Sequence, residues 1–464
     1  MADVEQVDVV VLGLGVGGEE TAGRLAEAGL SVVGIDGHLV GGECPYYGCI
    51  PSKMMIRSAN LLAETRRVAG MAGETELRPD WTPVARRIRD EATDSWNDQV
   101  AVDRLEGKGM RFVRGQGRFV GRDSVAVRPA DGGAERVFRA GRAVVLGTGT
   151  APTAPPVPGL RDTPYWTNRD VVKATELPAS LVILGGGPIG LEFAQVFARF
   201  GVTVTVLEAA DRILSVEEPE SSALIERVLT GEGVDVRTGA RASHVRYDWR
   251  GFTVSLSEGA EVIGGRLLVA AGRRADLAGL AVAEAGIDDS ARLVAVDDRM
   301  RAADGVYAIG DVTEHGGFTH MAMYQADIVV RDILGQGGPP ADYRAVPRVT
   351  FTDPEIGSVG LSEARARDAG LNVAVGVTDL SASSRGYIHK VGNEGLIKLV
   401  LDADRGVLVG ATSAGPMGGE VLAALSLAIH AGTPVSQLRS WITVFPTFHR
   451  AIPSALAALP SFTN

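Results

Sequence analysis

Cys44 and Cys49 are the only two cysteines in the chain. A single pair in 464 residues is not a disulfide scaffold. Nor is it a structural zinc site, which needs four ligands, because no further Cys or His clusters beside it. Two cysteines at this spacing point to redox chemistry. They lie in the run Gly41-Gly42-Glu43-Cys44-Pro45-Tyr46-Tyr47-Gly48-Cys49-Ile50-Pro51-Ser52-Lys53. Pro51 suits the first turn of a helix, which puts Cys49 at or just before that helix's N-terminus. The helix dipole there favours a thiolate and lowers its pKa. Lys53, four residues on, shares the helix face and adds positive charge. The segment reads as a thiol pair arranged to take and give electrons.

Such a pair needs an electron source, and the elements around it supply one. The apolar run Val7 to Leu12 leads into Gly13-Leu14-Gly15-Val16-Gly17-Gly18. A helical pattern follows to about Ala28, stopped by Gly29, and a strand from Ser31 to Ile35 ends at Asp36. Gly13, Gly15 and Gly18 fit a dinucleotide turn, with the acid about 20 residues on. The glycines let the backbone approach a pyrophosphate at a helix N-terminus, and the carboxylate accepts from a ribose hydroxyl. The unit recurs. A strand from Leu181 to Leu184 meets Gly185, Gly187 and Gly190, a helix runs to about Phe200, and a strand from Val202 to Leu207 ends at Glu208. Two dinucleotide sites in one chain suggest electrons moving between cofactors, and one FAD with one nicotinamide nucleotide is the economical pairing. Glu208 would accept from a free 2′-hydroxyl and repel a 2′-phosphate. Ala209 and Ala210 follow it, and Arg212 comes only after Asp211, so the sequence favours NADH over NADPH.

Gly147-Thr148-Gly149-Thr150 and the prolines from Pro152 to Pro158 read as a boundary, and a less sharp one falls near Ala275. The run from Val306 to Asp311 is a strand ending in an acid, with a helix from about Thr319. From Pro347 on, apolar strands (Val349 to Phe351, Leu396 to Leu401, Val407 to Thr412) alternate with a helix from about Gly419 to Ala431. This part has no phosphate loop and reads as a partner-facing or dimer domain. The expected fold is α/β: two Rossmann-like dinucleotide-binding domains plus a C-terminal α+β interface domain. The boundaries expected are 1–155 and 277–345 for two parts of an FAD-binding domain, 156–276 for an NAD-binding domain, and 346–464 for the interface.

Composition narrows the partners. The formal charge of −11 argues against nucleic acid or an anionic membrane. The sequence contains no run of 18 uncharged apolar residues, so no bilayer span is expected. The first residues are acidic and lack a basic region, so a secretory signal is not expected. The expectation is a cytoplasmic protein. Its 59 glycines imply many tight turns.

Along essentially its full length the chain resembles the class I flavoprotein disulfide reductases, the family of dihydrolipoamide dehydrogenase, glutathione reductase and mercuric reductase. The motifs match in the family's order. They are the first GxGxxG, the Cys-x4-Cys-Ile-Pro-Ser-Lys segment, Thr148-Gly149-Thr150, and Gly185 to Gly190. After them come Ala271-Gly272-Arg273-Arg274, Gly310-Asp311 and Thr352-Asp353-Pro354-Glu355. The resemblance implies that Gly13, Gly15, Gly18 and Asp36 hold the FAD adenosine and pyrophosphate. It places Gly42, Thr148 and Gly149 at the same cofactor and Asp311 on its ribityl chain. It puts Lys53 near the flavin, paired with Glu192. Gly185, Gly187, Gly190, Glu208 and Gly272 would serve NADH. Cys49 would face the flavin, and Cys44 would exchange with substrate. A homodimer is implied, with the C-terminal domain of one subunit completing the other's site.

One motif departs. The disulfide-reducing members end in His-Pro-Thr-x-x-Glu, a general base and the acid that orients it. Here the segment is Phe445-Pro446-Thr447-Phe448-His449-Arg450. Pro446 and Thr447 keep the register, so Phe445 replaces the base and Arg450 the acid. A phenyl ring moves no proton, and general acid–base help contributes about 10²–10⁴-fold. The expected acceptor is therefore not an ordinary disulfide but a quinone, another small electron acceptor or a specialised metabolite. Two alternatives stand beside this: a thiol–disulfide oxidoreductase using His449 or water as base, and an FAD-binding redox sensor. Tyr46 and Tyr47, inside the cysteine loop, either shape an altered acceptor pocket or pack against their neighbours. The extra C-terminal cysteine pair of mercuric reductases is lacking.

Overall fold

In a computed structural model that describes residues 4–460, the first apolar run is the strand Val4–Leu12. Val9, Val10 and Val11 are fully buried, as a strand covered on both faces requires. It pairs in parallel with Val32–Asp36 on one side and Arg136–Leu146 on the other. Parallel neighbours need a crossover, and the helix Val16–Glu27 provides it. Arg111–Gly121 adds in parallel beside Val32–Asp36, and Ser124–Pro129 runs antiparallel between it and Arg136–Leu146. Val306–Ala308 and Arg301–Ala303 complete a seven-stranded sheet. Phe119, Phe138, Val144 and Ile35 lie in its core. These elements belong to one compact unit, made of the chain up to Pro51, Ala85–Thr153 and Gly272–Asp342.

A second unit takes in Ser52–Val84, Ala154–Ala271 and the chain from Tyr343 on. Its parallel sheet has four strands, with Ser180–Leu184 between Arg266–Val269 and Thr203–Leu207, and Asp235–Arg237 outermost. The helix Pro188–Arg199 follows the first of these, with Pro188 in its opening turn, where no backbone N–H is needed. A three-stranded antiparallel sheet, Ala242–Asp248, Gly251–Leu256 and Glu261–Gly264, packs Phe252 and Val254 into the same core.

The C-terminal part of this unit is an antiparallel sheet of five strands in the order Pro347–Thr350, Glu355–Gly360, Val407–Gly415, Leu396–Asp402, Val373–Asp379. The helix Gly418–His430 packs Val421, Leu422 and Leu425 against it. Observed and expected elements agree within a few residues. One difference is informative: Phe351, expected in a strand, lies just beyond Thr350, and its N–H is turned to a side chain instead of a neighbouring strand. No helix of the described residues is long and apolar enough to cross a membrane.

Candidate redox site

Cys44 lies in the short helix Glu43–Tyr46, and Cys49 is the first residue of the helix Cys49–Arg66. Both cysteines are half-buried. The Cys49 Sγ is 3.3 Å from the hydroxyl of Thr319, which opens the helix Thr319–Ile333. A hydroxyl at this distance can donate to a thiolate, which favours the charged form. Gly41 and Gly42 bring the chain to the cysteines in left-handed conformations, φ 104° and 71°. A Cβ on Gly42 would sit 2.8 Å from the Gly15 Cα, so the cysteine loop and the first glycine turn touch backbone to backbone. The Trp96 indole N–H donates to the Tyr46 carbonyl at 3.1 Å, midway between the cysteines. Tyr46 is buried, and that burial pushes its phenol up. The two tyrosine rings are tilted against each other at 6.4 Å.

Lys53 Nζ donates to Glu192 Oε2 at 2.8 Å and lies 4.5 Å from the centre of the Phe351 ring. The other oxygen of Glu192 accepts from the Phe351 N–H at 2.9 Å. Glu192 is held by a row of bonds along its own helix. Gln195 and the Asp353 backbone exchange two hydrogen bonds, at 2.7 and 2.8 Å. Arg199 reaches Asp353 at 2.8 Å and Glu232 at 2.6 Å, and Arg67 joins Asp353 at 2.8 Å. Glu192, Gln195 and Arg199 are all buried, one helical face of polar residues clamped to the loop after Thr350. Sequence reasoning gave Gln195, Arg199, Arg67 and Asp353 no role. The Thr352-Asp353-Pro354-Glu355 motif was the available signal. Glu355 accepts from the Gly419 N–H at 2.9 Å, and burial pushes its carboxyl up.

The two glycine turns repeat one construction. Gly13 N–H donates to the Ile35 carbonyl at 2.8 Å, and Gly185 N–H to the Leu207 carbonyl at 2.9 Å. A Cβ on Gly18 would fall 1.9 Å from the Gly13 oxygen, and one on Gly190 2.1 Å from the Gly185 oxygen. Gly15 and Gly187 precede their helices with no side-chain cap, which leaves backbone donors at both N-termini. The acids also match. Asp36 accepts from the N–H groups of Leu14 and His38, both at 2.7 Å. Glu208 accepts from those of Gly186 and Ala210, at 2.7 and 2.8 Å. Burial pushes the Asp36 carboxyl up, against the pull of its two backbone donors. In the first unit the fit to a dinucleotide has a further mark. The Thr148 hydroxyl is buried with no hydrogen-bond partner among the described residues, and its backbone lies against Gly13. Gly149, next to it, is left-handed at φ 64°. Arg273, beside Gly272, donates to the Thr150 carbonyl at 2.6 Å and hydroxyl at 2.9 Å. Asp311 accepts from the Gly317 N–H at 2.9 Å. These donor sets and glycine cradles suit two dinucleotides. The described residues hold no group of three or more His, Cys, Asp or Glu fit for a metal ion.

The C-terminal segment is built differently. Phe445 is 65% exposed, and Ile442 and Val444 are exposed beside it. Phe448 is buried against the His389 ring at 5.7 Å. His449 and Arg450 share the short helix Phe448–Ala451, with His449 half-buried. Arg450 donates to the Thr443 hydroxyl at 3.5 Å.

Residues 7–326 match the family pattern "Pyridine nucleotide-disulphide oxidoreductase", and residues 346–456 match that family's dimerisation domain. The chain is 34% identical to a dihydrolipoyl dehydrogenase of Thermus scotoductus, with 97% of each chain covered. It is also 34% identical to a mercuric reductase of Streptomyces lividans, over 94% of this chain and 92% of the relative. Among solved structures it is similar to the HOCl-induced flavoprotein disulfide reductase RclA of Escherichia coli. That likeness has a TM-score of 0.84 at 28% identity and covers 97% and 99% of the two chains.

Proposed function

The chain belongs to the pyridine nucleotide-disulphide oxidoreductases, enzymes that use FAD and NAD(P)H, and from that premise we propose an NADH-dependent oxidoreductase whose acceptor is not an ordinary disulfide. This reading is carried by Phe445 and Arg450, which stand where the resemblance puts the family's general base and its orienting acid.

FAD, when bound, supplies a two-electron relay between nicotinamide and acceptor. Gly13, Gly15, Gly18, Asp36, Gly42, Thr148, Gly149 and Asp311 would hold it. Lys53, aimed by Glu192, would set positive charge beside its ring. Gly185, Gly187, Gly190, Glu208 and Gly272 would bind NADH. The preference over NADPH is supported by Arg212, the nearest cation after Glu208. Its guanidinium donates to the Leu214 and Ser215 carbonyls at 3.1 and 2.6 Å and to the Ser222 hydroxyl at 2.6 Å. It is committed to its own loop and not offered to a 2′-phosphate.

The thiolate of Cys49 is favoured by the start of its helix and by Thr319. Exchange at Cys44 with a disulfide would require a proton to reach the departing thiol. With Phe445 at that position, the proton would have to come from water or from another group such as His449. A quinone or other small acceptor makes no such demand on the segment. The dimerisation domain and the exposed Trp441, Ile442, Val444 and Phe445 support a homodimer.

A second reading is thiol–disulfide exchange with His449 or water as base. It is supported by the dihydrolipoyl dehydrogenases among the relatives. The two readings share the hydride half and differ in the acceptor half. Anaerobic addition of one NADH per chain, followed by thiol counting, tests whether the cysteines take electrons at all. Two new thiols would put Cys44 and Cys49 in the electron path. None would mean that acceptors are served without them.

A further inference from the structure

We propose that the segment Asp211–Glu218 is a strap that sets the second glycine turn for its nucleotide, and that Arg348 and Lys398, on strands of the C-terminal sheet, are its positioning residues. This rests on the reading that the Gly185 turn binds the nicotinamide nucleotide.

The strap meets the turn at its middle glycine. Leu214 N–H donates to the Gly186 carbonyl at 2.9 Å. Ile213 lies so close that a Cβ on Gly186 would be 2.7 Å from its methyl carbon. Leu214 achieves this in the left-handed region, at φ 45°, with its side chain buried. A branched residue holds such a conformation only where its surroundings impose it, and such positions cluster at functional sites.

The surroundings that impose it are ionic and come from the C-terminal sheet. Glu217 donates its N–H to the Leu214 carbonyl at 2.8 Å. Its buried carboxylate is gripped by both prongs of the Arg348 guanidinium, at 2.6 and 3.0 Å, and by the Ser358 hydroxyl. The buried Glu218 accepts from Lys398 Nζ at 2.9 Å and from the Glu363 N–H at 2.7 Å. Lys398 is itself 3% exposed and also reaches Glu220 at 2.8 Å and Glu363 at 2.9 Å. Buried charges are costly unless paired in good geometry, so this cluster admits one placement of the strap. With Arg348 or Lys398 removed, a carboxylate is stranded at the strap's C-terminal end. Leu214 can then relax to an ordinary φ, and its N–H leaves Gly186. The N–H groups of the turn lose their fixed aim at a pyrophosphate.

The test uses the full-length holoenzyme and ADP-ribose, which carries the adenosine and pyrophosphate without a reacting ring. R348M and K398M should each weaken ADP-ribose binding by calorimetry about tenfold, the worth of one charge-assisted hydrogen bond. KM for NADH should rise in step while kcat holds, the mark of lost binding that substrate and transition state share. R348K should recover little, because an ammonium cannot reproduce the two-pronged grip. Should R348M not fold, E217Q breaks the same ion pair from its other side in an isosteric side chain and should show the same shift. Variants that bind ADP-ribose as the wild type does, with only a lower melting temperature, would overturn the strap alone. A wild type that binds no ADP-ribose would overturn the nucleotide reading and the strap with it.

Discussion

The glycine turn at Gly185 and the segment from Thr443 to Arg450 lie in the same unit, and they are held in opposite ways. At the turn, backbone meets backbone: Gly185 and Gly190 have no room for a Cβ, and Glu208 ties down two N–H groups. The C-terminal segment is anchored by a side chain, Phe448, buried against the His389 ring at 5.7 Å. Thr447 bonds the Val444 carbonyl at 2.7 Å, Arg450 reaches Thr443, and Phe445 stands in the open. A turn constrained by its backbone resists change. A segment whose chemistry resides in exposed side chains can lose a base and keep its fold. On the proposed reading, the nucleotide end keeps the family's construction and the acceptor end differs from it at Phe445 and Arg450.

The comparison can be broken by restoring the acceptor end. Phe445→His together with Arg450→Glu should raise disulfide turnover by up to about 10²–10⁴-fold, the usual worth of general acid–base help. Steady-state assays with lipoamide and NADH would read it. An unchanged rate would mean that position 445 is not where the deficit lies.

The turns themselves give the next largest effect. Gly190→Ala should cut NADH oxidation by about 10² while FAD content stays constant, because the turn must shift by an ångström or more. Gly18→Ala should instead lower FAD content, read from the visible absorbance of purified protein. If either variant affected both cofactors alike, the two turns would not be separate sites.

Smaller in scale is the clamp behind Glu192. Asp353→Asn removes the charge that faces Arg67 and Arg199, of which Arg199 is 1% exposed. A loss of about 1–3 kcal/mol in urea unfolding is expected, since a buried guanidinium keeps only part of its bonding. The smallest change is in nucleotide choice. Arg at both Ala209 and Ala210 should raise kcat/KM for NADPH by only about fivefold while Glu208 remains to repel the 2′-phosphate.

The same contrast governs what could be read from the chain alone. Glycine turns, their strands and their acids are legible because sterics leave few residue choices, and the strand expected to begin at Val7 is found from Val4. The strands Arg111–Gly121 and Arg136–Leu146 left a weaker trace, because arginines and glycines interrupt their apolar residues everywhere but at Ala143 to Leu146. Lys53 and Glu192 were approached through the resemblance. Gln195 and Arg199 were missed, since polar residues on an amphipathic helix ordinarily face water, and only the fold brings Asp353 to them. The strap was missed for a similar reason. Leu214 has the composition of a core residue, and its left-handed backbone is a property of tertiary contacts.

The division into an intact hydride half and an altered acceptor half is tested most directly by following NADH oxidation with menadione and with lipoamide on the same preparation. The account predicts quinone reduction at rates ordinary for enzymes, about 1–10³ per second, and lipoamide reduction slower by about 10² or more. Lipoamide turnover equal to or faster than quinone turnover would contradict it.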